Sequence, residues 1–255
     1  MTLSDLQLQG QRALVRVDFN VPLDRAHQIT DDTRIRRAIP TIQALLDGGA
    51  SVVLMSHLGR PKGPDAGLSL KHLVGRISEL LGTDVAFATD CVGDAALDVT
   101  QQLKPGQVAL LENLRFHPEE KAGDEFFAGQ LAENGDVYVN DAFGTAHRAH
   151  ASTAVIAKFF PEDKAFGFLM HNEINALNKV LATPATPLLA IIGGAKVSSK
   201  LTILENLVDR VDRLIVGGGM AYTFVKAQGG AIGTSLVEDD MLDQAKRILE
   251  KAQAA

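Results

Sequence analysis

The chain has 255 residues, 46% apolar and 22% charged, ordinary values for a folded globular protein. Its 25 Lys and Arg against 31 Asp and Glu give a net charge of −6, which argues against a nucleic-acid partner and leaves any phosphate binding to a local cluster of cations. The one cysteine, Cys91, excludes an intrachain disulfide and fits a reducing compartment, with a buried, inert thiol as the expected state. Met1–Gly10 lacks the basic start and apolar core of a signal peptide, and no apolar run approaches the ~18 residues that span a membrane, so the expected location is cytoplasmic, with no membrane partner.

In chain order, Arg12–Val17 reads as a strand. Ile35–Leu46 follows as a helix (Ile35, Ile39, Ile42, Leu46 on one face), which Pro40 should kink or delay. Ser51–Ser56 reads as a strand, Leu70–Leu81 as a helix and Thr83–Phe87 as a strand of weaker patterning. Val108–Leu111 is a strand, Asp124–Asn134 a helix and Asp136–Asn140 a strand. This alternation predicts a parallel sheet covered by helices on both faces, with ligands in the loops beyond the carboxyl ends of the strands. His171–Leu181 reads as a helix with Ile174, Leu177, Val180 and Leu181 on one face, and the stretch 182–187, with Pro184 and Pro187, as a stiff linker. Beyond it lie strand Leu188–Ile192, helix Val197–Val208, strand Arg213–Val216 and helices Met220–Gln228 and Asp239–Ala252. The domains are therefore expected at 1–170 and 188–255, joined by a helix and linker over 171–187. Two strands are marginal for a sheet, so the second domain reads as incomplete.

Arginines recur just past the strand ends of the first half. The loops are Asp18–Pro22, His57–Gly63, Glu112–His117 and Asp141–His150, with Arg60, Arg115 and Arg148 among them and Arg34 and Arg36 opening the first helix. Each alone fits a solvated surface arginine. Together, at strand ends that share one sheet edge, they point to a small anionic ligand, because the guanidinium fork matches carboxylate and phosphate oxygens. Asp18 and Asn20 could bind a substrate hydroxyl or orient an arginine, or form an ordinary turn. His57, His117, His147 and His150 suggest oxyanion contacts rather than a metal, since no Cys joins them at a ligand spacing, and no metal site is expected. In the second half, Gly193–Lys200 and Gly217–Met220 each follow a strand and open onto a helix, an arrangement that admits phosphate. Lys196 and Lys200 are four apart and are expected to share one helix face. Neither turn is a P-loop or a dinucleotide fingerprint, which weighs against a nicotinamide dehydrogenase.

Arg16–Pro22, Ser56–Gly63, Leu111–His117, Tyr138–His150, Gly193–Lys200, Gly217–Phe224 and Ile232–Leu236 resemble, in order and over nearly the whole chain, the motifs of the phosphoglycerate kinase family. The resemblance implies two Rossmann-like parallel-sheet α/β domains, the second incomplete, and reversible phosphoryl transfer between 1,3-bisphosphoglycerate and ADP, giving 3-phosphoglycerate and ATP. It implies a triose site of Asp18, Phe19, Asn20, Arg34, His57, Leu58, Gly59, Arg60, Arg115 and Arg148. It implies a nucleotide site of Gly194, Ala195, Lys196, Lys200 and Gly217, with Arg34, Lys196 and Lys200 catalytic. The cofactor would be Mg2+, carried as Mg-ATP or Mg-ADP, with its protein ligand in a C-terminal part that this chain lacks. The family is usually monomeric. The alternative is a truncated fragment that binds phosphoglycerate without turnover.

Overall fold

The computed structural model describes residues 2–181 and 185–254. Two compact units, residues 1–175 and 176–255, divide the chain. In the first, β1 (Arg12–Arg16), α1 (Thr33–Asp47), β2 (Ser51–Met55), α2 (Val74–Leu81), β3 (Val85–Phe87) and α3 (Asp94–Thr100) come in sequence. They are followed by β4 (Val108–Leu110), α4 (Pro118–Ala122), α5 (Glu125–Ala132), β5 (Val137–Asn140), β6 (Lys164–Phe166) and α6 (Phe168–Leu181), within which the boundary falls. The six strands form one parallel sheet in the order β3-β4-β2-β1-β5-β6, with Val15 aligned to Leu54 on one side and Val139 on the other.

The central strands lack polar alternation because both faces are covered. Ala13, Val15, Val52 and Leu54 pack with Ile35, Ile42 and Leu45 of α1. Leu14, Val53 and Met55 pack on the opposite face with Phe127 and Leu131 of α5. Pro40 does not delay α1, which starts two residues before the predicted Ile35 and runs through the proline. Burial of Ile35, Ala38, Ile42 and Leu45 offsets the one backbone donor that Pro40 removes. Leu70–Leu73 is a 3-10 turn ahead of α2 rather than part of it. Three elements go beyond the predicted set: α3, α4, and β6, a three-residue edge strand without β-branched residues.

The second unit contains β7 (Leu189–Gly193), α7 (Leu201–Val208), β8 (Arg213–Gly217), α8 (Met220–Ala227) and α9 (Leu242–Ala254). Its sheet has two parallel strands, with Gly193 opposite Gly217. Leu204, Val208, Met220, Phe224 and Ile248 form the core on one face. On the strands, Leu189, Ile191 and Ile215 remain 50%, 68% and 50% exposed, so this small sheet is covered on one side only. The predicted helix from Val197 begins at Leu201 instead. Glu238 holds the N–H and hydroxyl of Ser198 at 3.1 and 2.6 Å, and Ser199 Oγ donates to Lys196 O, so side-chain bonds compete with the first helical turn. Lys196 therefore precedes the helix and Lys200 is its N-cap residue; the two do not share a helix face. Of the predicted linker, 182–184 lie outside the described residues. No described helix is long and apolar enough to cross a membrane.

Candidate active site

Four neighbouring strands, β4, β2, β1 and β5, send their following loops to one edge of the sheet. There the loops enclose a cleft of about 280 Å³. Asp18 and Asn20 come from the β1 loop, Arg34 from the first turn of α1, and His57, Gly59 and Arg60 from the β2 loop. Arg115 comes from the β4 loop, and Gly144, Thr145 and Arg148 from the β5 loop. Four guanidiniums thus face one carboxylate, Asp18, in a chain whose net charge is negative. Phe19 and Leu58, expected at the site, are instead buried in the apolar core, at 0% and 2% exposure. Their backbones still fix the loops: Phe19 N–H donates to Ser56 Oγ at 2.9 Å and Leu58 N–H to Asn113 Oδ1 at 3.2 Å.

The loops hold one another in place. Gly59 N–H donates to Asn20 Oδ1 at 2.8 Å, and Gly59 O accepts from Arg115 Nη1 at 2.8 Å. Gly59 has φ +65°, and a Cβ there would meet Leu68 at 2.8 Å, so glycine is required. Beneath it lies Asn113, fully buried, whose Nδ2 donates to the carbonyls of Leu58 and Leu68 (both 2.8 Å) and whose Oδ1 accepts from Arg115 N–H at 3.1 Å. Arg34 Nη1 donates to Asp18 Oδ2 at 2.6 Å. With Arg34 half exposed, this pair adds little stability. It aims the guanidinium over the cleft.

Behind the cleft is a buried charge network that no local sequence pattern announces. Arg16, at 0% exposure, donates from Nε to Ser152 Oγ (2.9 Å), from Nη1 to Val17 O and from Nη2 to His57 Nδ1 (3.1 Å). Ser152 in turn donates its hydroxyl and N–H to the buried Glu120 at 2.7 and 2.9 Å. Arginine only donates, so His57 Nδ1 accepts and the neutral ring carries its proton on Nε2, the nitrogen left for the cleft. Burial, with Arg16, Arg115 and Arg34 nearby, drives His57 down to about 2. Burial, with Arg16 and Arg148 close, also holds Arg115 below the usual arginine range. A buried cluster that resists its own positive charge is suited to an anion.

His57 makes stability depend on pH. Below its ordinary value near 6.5 the unfolded chain takes up a proton that the folded ring refuses until about 2. The unfolded state then binds more protons, so stability is lost as pH falls through that window, by about 1.4 kcal/mol per unit. Urea denaturation between pH 7 and 5 should show this slope, and His57→Gln should flatten it; an unchanged slope would place the titration elsewhere.

In the second unit the glycine turns after β7 and β8 pack on each other. Met220 N–H donates to Gly194 O at 2.8 Å. Gly218 has φ +70°, and a Cβ on it would meet Gly194 O at 2.8 Å. The aliphatic part of Lys200 crosses Gly194, where an added Cβ would lie 3.0 Å from Lys200 Cε, while Lys196 and Ala195 are exposed. Gly217 ends β8 beside Gly193.

The phosphoglycerate kinase family model matches residues 3–255. The chain belongs to the phosphoglycerate kinase family. It is 57% identical to the phosphoglycerate kinase of Anaeromyxobacter dehalogenans strain 2CP-C and 51% identical to that of Porphyromonas gingivalis, each over 99% of this chain. Among solved structures, the phosphoglycerate kinase of Coxiella burnetii superposes with a TM-score of 0.88 at 42% identity, and that of Pyrococcus horikoshii with 0.84 at 32%. These cover 100% and 98% of this chain. The chain spans about 64% of the length of the Anaeromyxobacter relative, 66% of the Porphyromonas one, and 64% and 65% of the two solved chains.

The remaining histidines do not enter the cleft lining. His150 is buried 3.7 Å from Glu120, and His147 accepts from Arg148 Nε at the surface. His117 turns away to Asp90 and, contrary to the expectation that no Cys joins the histidines, to Cys91. Cys91 is buried, and burial, followed by Asp90 and Glu120, pushes its thiol up, as befits an inert group.

Proposed function

We propose that the cleft of the first unit binds phosphoglycerate and that the chain carries part of a phosphoglycerate kinase, which transfers a phosphoryl group between 1,3-bisphosphoglycerate and ADP to give 3-phosphoglycerate and ATP. The observation that carries this reading is the convergence of Arg34, Arg60, Arg115 and Arg148 on one cleft in an acidic chain. Arg60, Arg115 and Arg148 would hold the carboxylate and phosphate of the triose, with Asp18, Asn20 and His57 Nε2–H at its hydroxyl and oxyanion. Arg34 would face the transferring phosphoryl group. Gly194, Ala195, Gly217, Lys196 and Lys200 would receive the nucleotide phosphates. Catalysis would be electrostatic, by cations placed where charge spreads in an in-line transfer, without a covalent enzyme intermediate. In keeping with the family reading, the protein would act as a cytoplasmic monomer.

Magnesium, which the family reading implies, would come as the nucleotide complex, held mainly by phosphate oxygens and water with one or two carboxylates. No step is assigned to it. A second reading, a binding fragment without turnover, is favoured by the uncovered strand face of Leu189, Ile191 and Ile215.

3-Phosphoglycerate should raise the melting temperature of the first unit as RT ln(1 + [ligand]/Kd), and the shift should shrink with salt because the contacts are ionic. A folded sample with no shift at millimolar ligand would remove the triose site. A coupled assay of ATP formation on the same chain separates the enzyme from the binding fragment.

A further inference from the structure

Away from the cleft, β3 and β4 are neighbours at one edge of the sheet, and both send a loop past their carboxyl ends. The loop after β3 carries Asp90 and Cys91, and the 3-10 turn after β4 ends on His117. One ligand atom from each of these three residues, an Asp90 oxygen, Cys91 Sγ and a His117 ring nitrogen, lies within 4.8 Å of the other two. We propose that Asp90, Cys91 and His117 form a binding site for a zinc-class divalent cation.

The donor set argues for that class. A thiolate, an imidazole and a carboxylate are the ligands of borderline-soft ions, whereas magnesium and calcium require oxygen alone. Zinc bonds of about 2.0–2.3 Å in a tetrahedron place ligand atoms about 3.5 Å apart, so closure asks for a contraction of about 1.3 Å at most. Asp90 and His117 now share a hydrogen bond of 2.7 Å, which would open as the His117 Nε2 proton leaves to solvent or the ring takes its Nδ1–H tautomer, freeing the Nε2 lone pair for the metal. The site is held from behind. Asp90 Oδ1 accepts the Cys91 N–H at 2.6 Å, buried Asn134 donates to Cys91 O at 3.3 Å, and the His117 ring lies 5.1 Å from that of Phe127. Such supports fix ligand orientation before the ion arrives.

Access and polarity also fit. Asp90 and His117 are 41% and 29% exposed and line a cleft of about 570 Å³, while Cys91 is fully buried behind them and does not itself line it. An ion entering there meets the carboxylate and imidazole first and the sulfur last. Its charge then deprotonates the coordinating thiol, and the thiol proton leaves to solvent. A fourth position remains for water, as in zinc sites with three protein ligands. The buried thiol would be inert alone yet able to bind metal.

The test is titration of the chain, purified in chelator and exchanged into metal-free buffer, with Co2+ and then Zn2+. Cobalt should give a thiolate charge-transfer band in the near ultraviolet together with visible tetrahedral bands, and Zn2+ should erase both. Zn2+ at 100-fold over its Kd should raise the melting temperature by roughly 5 °C. Cys91→Ala should lose the charge-transfer band. His117→Gln, at a partly exposed position that leaves the core intact, should weaken binding at least about tenfold. A cobalt complex without the thiolate band overturns the proposal, as does a band that survives in either variant at unchanged affinity. Displacement of Co2+ by equimolar Mg2+ would likewise reveal a carboxylate-only site and overturn it.

Discussion

Glu120→Ala is expected to cost about 3–5 kcal/mol of folding stability, the range for removing one partner of a buried ionic network. Glu120 is fully buried in α4, and Arg16 is equally buried in β1. Ser152 joins them, accepting from Arg16 Nε and donating its hydroxyl to Glu120. Removing the carboxylate leaves the Arg16 guanidinium in the interior without this compensating charge, and deprives the Ser152 N–H and hydroxyl of their acceptor. Each loss is a desolvation cost that water cannot reach to repair. Against a typical total of about 5–15 kcal/mol, the first unit would be left close to its unfolding threshold. Glu120→Gln keeps one of the two acceptor oxygens that Ser152 uses but loses the charge and the second acceptor, so it should fall between the parent and the alanine variant. Urea denaturation followed by far-ultraviolet circular dichroism measures all three, a suitable probe for a chain without tryptophan. A loss under about 1 kcal/mol in Glu120→Ala would mean that Ser152 Oγ, the Val17 carbonyl and His57 suffice for Arg16 without the carboxylate.

That network marks where sequence reasoning stops. Arg60, Arg115 and Arg148 are legible because each sits in polar loop residues within about ten residues after a β-branched run, and Arg34 because it opens the first helix. Arg16 stands inside such a run and reads as a strand-end charge. Its role depends on Ser152, which is 136 residues away. Asn113 reads as one polar loop residue among several, although it ties three chain segments together. The parallel sheet is legible from strand and helix periodicity, whereas β6, three residues paired at the edge, has no pattern long enough to detect. The turn over Val197–Lys200 reads as helix because Glu238, which diverts Ser198 from helix formation, comes 40 residues later. Phe19 and Leu58 show the converse case. Their neighbours face the cleft, and the turn of the backbone between them sends their own side chains into the core.

In a protein extended to the length of its relatives, Arg34→Ala should lower kcat about 10³-fold while changing KM for phosphoglycerate little. Arg34 is half exposed, with its Nη1 held by Asp18. The adjacent Asp32 does not compete for it, because that carboxylate is taken by Arg36 at 2.9 Å and Arg76 at 2.7 Å. The guanidinium is thus positioned but not neutralised within a rigid ion cluster, and it can turn toward charge that develops during transfer. An interaction made only in the transition state appears in kcat, whereas one made equally in the ground state appears in KM. Transition-state arginines in phosphoryl transfer are worth about 10³–10⁵ in rate. The lower end suits a residue that shares its task with other cations. Arg34→Lys should not restore the rate fully, because a point charge cannot reproduce the two-pronged fork. Arg60→Ala, at an exposed position on the β2 loop, should act mainly through KM, since its expected partner is the non-transferred end of the substrate. Steady-state kinetics on the three variants decides the assignment: if Arg34→Ala keeps kcat within tenfold of the parent, a deficit under about 1.4 kcal/mol, then Arg34 binds substrate and does not act on the transition state.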